Sequence, residues 1–250
     1  MDLHEKYKNV IVDRNGDILN SNMVTLKITK EIFPKVNYRV TKKSLVPSNN
    51  SSKFEGHCYQ GTEPQKVIVV AQWKSDPDGL PDSSNILGSL GLFIVNENEI
   101  KIPKAETNRE NLGYYGAKLL EEGDILRFET DKEIPLTEVY VGSNYIDGYI
   151  LNEKYANGVY IEKHNRPHFH KPLNKEATGY LILGRSIGDN LYAFSAFSIP
   201  YGYAVYTPPN TIHNDCFLIG KYAVVYSVTP EYSTVRICDQ NYEMIKVEIE

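Results

Sequence analysis

Cysteine is scarce in this chain: Cys58, Cys216 and Cys238 are the only three in 250 residues. They form no C-x-x-C pair and their number is odd, so neither a zinc ribbon nor a disulfide framework is indicated. No apolar run reaches the roughly 18 residues that a bilayer-spanning helix needs. No long Lys/Arg block occurs and the formal net charge is −5. Nucleic acid and anionic membranes are therefore not expected partners. The opening Met1-Asp2-Leu3-His4-Glu5-Lys6 lacks the basic-then-apolar pattern of a secretion signal. That reads as an intracellular, cytoplasmic protein.

Several catalytic signatures are missing too. Gly88-Ser89-Leu90-Gly91 has neither the Lys-Ser/Thr nor the helix of a phosphate loop. There is no G-x-S-x-G elbow. Asp76, Asp78 and Asp82 lack the spacing and distal Glu of a calcium loop and read as turn formers. With no dinucleotide fingerprint, nicotinamide or flavin redox chemistry is not expected.

What is present points to β structure. Tyrosine, which favours strands, occurs 19 times. Short β-branched and aromatic runs occupy 23–28, 66–73, 91–95, 125–128, 159–161, 179–184, 191–197, 203–206, 222–228 and 233–237. Most are bounded by Gly, Pro, Asn or Asp. Asp147-Gly148 and Asn157-Gly158 are hairpin-turn pairs. Only 106–122, and more weakly 1–9, have helical character, while 46–54 and 74–84 read as loops. The least strand-like junction near the middle divides the chain into 1–148 and 149–250. This pattern predicts an all-β sandwich or barrel.

Four of the six histidines lie between 164 and 213. His168-Phe169-His170 is an H-x-H pair. On a strand, residues i and i+2 share a face, so the two imidazoles project into one interior. His213 follows a strand and a Pro208-Pro209-Asn210 turn, at the start of the next strand. The same parity puts His164 and Arg166 on the H-x-H side while the strand stays regular. His164 is then a candidate general base or outer-shell group, and Arg166 a candidate for binding a carboxylate or phosphate. Among the tyrosines of the barrel wall, Tyr206 is a candidate proton donor and Tyr180 a candidate substrate contact.

Gly202-x5-Pro208-x-Asn210-x2-His213 resembles the second motif of the cupin superfamily, G-x5-P-x-G-x2-H-x3-N, without its trailing Asn. Asn stands in place of the motif's second Gly, and it too tolerates the left-handed conformation. His168-x-His170, with Glu176 and Gly184 beyond, resembles the first motif. Its gaps are a residue longer, and the leading Gly is missing. The resemblance implies a double-stranded β-helix, a jelly-roll-like barrel, with a divalent metal held by His168, His170 and His213. Glu176 is the implied fourth ligand, with Glu162 or water as the alternative. Fe, Mn, Zn and Ni all suit such a shell. Glu122-Gly123-Asp124 resembles the opening of another second motif without its histidine. Two arrangements follow: tandem barrels with the N-terminal one degenerate and metal-free, or one elaborated barrel with extra N-terminal strands.

The expected function is a metal-dependent enzyme acting on a small polar or carboxylated metabolite, by isomerase, lyase or dioxygenase chemistry. The alternative is a non-catalytic cupin that binds a sugar or other small ligand in a structural or regulatory role. The first half reads as scaffold or as the surface of a homodimer.

Overall fold

The computed structural model describes residues 12–13, 61–75, 91–121, 136–141, 159–225 and 232–250. The expected strands at 23–28 and 125–128, helix at 1–9, loop at 46–54 and turns at 147–148 and 157–158 lie outside these residues.

The described chain is all-β with one short helix. In order it runs β1 (Val12–Asp13), β2 (Val67–Lys74), β3 (Gly91–Val95), β4 (Glu99–Ile102), β5 (Lys104–Ala105) and α1 (Arg109–Tyr114). Then come β6 (Lys118–Leu120), β7 (Leu136–Val141), β8 (Tyr160–His164), β9 (His168–Pro172) and β10 (Thr178–Gly188). Last are β11 (Leu191–Phe197), β12 (Ala204–Thr207), β13 (Ile212–Val225), β14 (Tyr232–Cys238) and β15 (Lys246–Ile249).

Seven strands close into a ring in the order β2-β3-β14-β8-β13-β10-β11 and back to β2. Only β3 and β14 run parallel; the other six pairs are antiparallel. Closure leaves the barrel without a free edge. Strands from both sides of residue 148 are therefore hydrogen-bonded into one ring. Among the described residues, the first-half strands β2 and β3 complete a barrel with second-half strands rather than closing one of their own.

Burial explains which segments became strands. In β2, Val69 and Ala71 are buried while Ile68 and Val70 are exposed, the period-2 pattern of a half-buried strand. All five residues of β3 are buried, as the continuous apolar run Gly-Leu-Phe-Ile-Val requires. Phe93 packs edge-on against Trp73, Tyr192 and Phe194. Leu181, Leu183, Phe197 and Val235 extend this core. Each such side chain contributes roughly 1.5–3 kcal/mol of transfer free energy. The weak helical signal at 106–122 yields only α1. Asn108 caps its start by accepting from the Asn111 N–H. Gly116, at φ 77°, ends the turn and lets the chain return as β6.

β13 is the long strand that joins two layers. Its first part pairs with β10 and, at His213, with β8. Its second part leaves the ring and pairs with β7 and β9, which with β12 and β6 build an adjoining sheet. A bulge interrupts the pairing with β10. Tyr180 pairs with Phe217 and Ile182 with Asn214, so Leu181 faces two residues, Asp215 and Cys216. The Asn214 side chain holds the bulge. Its amide donates to the Tyr160 carbonyl, and its oxygen accepts from the Cys216 N–H at 2.8 Å.

Candidate metal centre

Three strands and two turns deliver the site. On β8, Glu162 and His164 are two apart. A bend at Asn165 and Arg166 leads through Pro167 into β9 and His168. The β12–β13 loop brings in His213. Asn210 in that loop has φ 63°, the left-handed conformation expected where the motif has Gly. Its N–H donates to the His164 carbonyl at 2.7 Å, which ties the loop to the end of β8. The pair His213↔Glu162 then sets those two side chains directly across from each other.

The result is a compact group. One ligand atom each from Glu162, His164, His168 and His213 lies within 4.8 Å of all the others. The imidazole centroids of His164 and His168 are 4.5 Å apart, those of His168 and His213 4.7 Å, and those of His164 and His213 4.9 Å. All three histidines are buried, and Glu162 keeps about a fifth of its side chain exposed.

The surroundings orient these groups. His213 Nδ1 lies 2.9 Å from the Thr211 carbonyl, which fixes the proton on Nδ1 in the neutral ring and leaves a lone pair on Nε2. Nε2 is 3.4 Å from Glu162 Oε1. Thr234 Oγ1 donates to Glu162 Oε2 at 3.1 Å.

Burial and mutual charge set the protonation states. Burial, and then the charge on His213, push His164 down from 6.5 to about 4. Burial and the neighbouring histidines push His168 well below its ordinary value. Burial alone would raise the Glu162 carboxyl, but the hydrogen bond and charge of His213 outweigh it and hold Glu162 below the usual carboxylate range. Burial alone would lower His213, yet Glu162 carries it above 6.5. At neutral pH the site therefore offers two neutral imidazoles and a carboxylate-paired third.

The donor set fits a divalent ion. Both ring nitrogens of His164 are buried without a hydrogen bond of good geometry among the described residues, and Nε2 of His213 has only its long 3.4 Å contact with Glu162. Buried polar atoms without partners are costly, and coordination would satisfy one nitrogen of His164 together with Nε2 of His213. Tetrahedral ligand atoms around a zinc-sized ion are about 3.4 Å apart; His213 Nε2 and Glu162 Oε1 already have that separation. Three imidazoles and a carboxylate suit Zn, Fe, Mn or Ni and do not single one out.

Sequence expectation and structure meet unevenly here. His168 and His213 fall in the group. His164, expected as a base or outer-shell residue, stands among the ligand-capable atoms, and Glu162, the alternative to Glu176, stands with it. His170 is not of the group. It is fully buried, its ring lies 5.5 Å from that of His168, and its Nε2 faces Asp215 Oδ2 at 3.6 Å. Glu176 sits exposed in the turn between β9 and β10. Arg166 is half-buried in the bend before β9, where strand parity ends. Tyr180 packs on the core with the Lys104 ammonium 5.6 Å from its ring. Tyr206 pairs with Phe169, so it shares Phe169's face of the sheet and points away from the histidine face. Asp215, Tyr160 and Thr234 were not anticipated. Asp215, two residues beyond His213, carried the only local signal.

No family model, curated protein or solved structure matches this chain. No helix among the described residues is long and apolar enough to cross a membrane.

Proposed function

We propose that the chain is a metal-dependent, cupin-type enzyme acting on a small polar or carboxylated metabolite, with isomerase, lyase or dioxygenase chemistry. One observation carries this reading: Glu162, His164, His168 and His213 converge in the wall of a closed barrel. The motif resemblance at His168 and His213 supports it.

Glu162, His164, His168 and His213 would hold the ion. When bound, the ion acts as a Lewis acid toward a carbonyl or hydroxyl oxygen of the substrate, or as a binding site for O2. The chain's own groups prepare that site. Burial keeps His164 and His168 neutral, the form that ligates. Glu162 contributes one negative charge, and Thr234 fixes which carboxylate oxygen faces the histidines. The Thr211 carbonyl fixes the His213 tautomer. Burial of the three histidines keeps their nitrogens out of bulk water, while Glu162 stays partly exposed.

Elemental analysis of the purified chain tests the reading. Near one equivalent of a divalent metal, lost in His213→Ala, is expected. Protein that takes up no stoichiometric metal from Zn, Fe(II), Mn or Ni overturns it. Oxygen uptake with the Fe(II) form then separates a dioxygenase from an isomerase or lyase.

A further inference from the structure

A second set of polar side chains lies against the metal-capable group. His170 is fully buried, and neither of its ring nitrogens has a hydrogen-bond partner among the described residues. Its ring stacks on His168 with an interplanar angle of 26°. Its Nε2 lies 3.6 Å from Asp215 Oδ2, too far for a hydrogen bond. Tyr160 donates its hydroxyl to the other oxygen, Asp215 Oδ1, at 3.0 Å, and so holds the carboxylate with Oδ2 toward His170. The bulge held by Asn214 is what places Asp215 there. Thr207 pairs with His168 across β9 and β12, so it shares the histidine face; its buried hydroxyl also has no partner among the described residues.

We propose that His170, Asp215 and Thr207 form a recognition subsite for a neutral, polyhydroxylated substrate of sugar-like type, one of whose oxygens lies at the metal group. The neighbouring oxygen rests on this reading of Glu162, His164, His168 and His213 as a metal site. His170 Nε2 and Asp215 Oδ2, 3.6 Å apart, could share one oxygen set beside the line between them, about 2.8 Å from each. With the neutral His170 proton on Nε2, that oxygen accepts from the imidazole and donates to the carboxylate. A hydroxyl does both. A carboxylate cannot donate, and an ammonium cannot accept. Charge selects the same class. A divalent ion with Glu162 and Asp215 is neutral overall, so an uncharged ligand keeps this interior balanced. A carboxylate ligand adds a second anion against Asp215 in a low-dielectric site. His170 stacks on His168, so the subsite adjoins the metal group. A vicinal diol or hydroxy-carbonyl can span the two.

The test is binding to the full chain, in metal-loaded and metal-stripped form, by calorimetry and saturation-transfer NMR. The probes are D-glucose, D-ribose and erythritol as neutral polyols, with succinate and ethanolamine as charged contrasts. At least one polyol is expected to bind the loaded protein and the charged probes are not. Asp215→Ala should weaken the polyol at least tenfold without changing metal content. Asp215→Asn, which keeps the Tyr160 contact, should give a smaller loss, and His170→Gln is the second variant should Asp215→Ala fail to fold. Preference for succinate or ethanolamine, polyol binding unchanged in Asp215→Asn and His170→Gln, or no polyol binding at all overturns the subsite. Polyol binding that depends on Asp215 in protein that never takes up metal removes the metal reading and leaves the subsite standing.

Discussion

Replacing His164 and His170 separately by Gln distinguishes two ligand sets. The motif resemblance places His168, His170 and His213 on the ion. The geometry instead brings together Glu162, His164, His168 and His213, a group that could hold one. Four-ligand zinc sites are worth about 10–16 kcal/mol in total, so one ligand carries about 3 kcal/mol, or about a hundredfold in affinity. His164→Gln removes one of those four and should weaken zinc or Mn binding by about two orders of magnitude. His170→Gln removes none of them; because its ring stacks on His168, it should cost about 1 kcal/mol, roughly fivefold, well short of a lost ligand. Glutamine fills much of the imidazole volume, which limits the cavity each change leaves. The assay is competition with a chromophoric chelator at fixed pH, on variants whose thermal unfolding has been compared in the metal-free state. A hundredfold loss in His170→Gln with near wild-type affinity in His164→Gln would refute the assignment. It would mean that binding redraws the site onto the motif ligands.

Three further outcomes follow from individual contacts. Thr234→Val leaves Glu162 without its 3.1 Å donor, and loss of such an orienting partner should weaken metal binding about 10- to 100-fold in the same chelator assay; unchanged affinity would show that Thr234 does not position the carboxylate. Asn210, at φ 63°, should accept Gly with little loss, whereas Asn210→Ala should cost about 1 kcal/mol by urea denaturation; equal midpoints for the two variants would contradict the strain argument. Metal-free protein should lose stability as pH falls from 6.5 toward 4. Burial lowers His164 to about 4, so across that window the unfolded chain binds a proton that the folded chain does not. The effect is at most about 3 kcal/mol at roughly 1.4 kcal/mol per unit. His168 shifts in the same direction and adds to it. Glu162, held low, loses its contribution as pH falls through its folded value. His213, held high, contributes fully below 6.5 and loses that contribution only as pH rises through its raised value. Urea midpoints of wild type and His164→Gln at pH 7, 6 and 5 check this, and a gap between them that does not change with pH would refute it.

Local pattern carried much of the fold. β2, β3, β11 and β14 lie where β-branched and aromatic runs sit between turn residues, and Asn210 adopts the left-handed conformation its place in the motif required. What local pattern could not carry was pairing between distant strands. That β2 and β3 would close a ring with β11 and β14 depends on hydrogen bonds across more than a hundred residues. That Tyr206 faces away from the histidines depends on its register with Phe169, which a one-residue slip would reverse. Asp215 reaches His170 only because of a bulge, and nothing in the sequence of β13 announces it.

The H-x-H pair shows the same limit at the site itself. Parity along β9 does put His168 and His170 on one face, but residues i and i+2 of an extended strand are separated by about 6.5 Å of rise. Their rings, stacked nearly parallel, are 5.5 Å apart. Residues drawn from different strands come closer: the rings of His164, His168 and His213 lie 4.5–4.9 Å from one another. The bend after β8 lets His164 turn toward His168, and the cross-strand pair sets His213 against Glu162. Sharing a face is therefore weaker evidence for sharing an ion than meeting across a turn or a ladder. The second histidine of the pair, carried past the ligand group by the length of the strand, is left facing a carboxylate, where it can read a substrate instead.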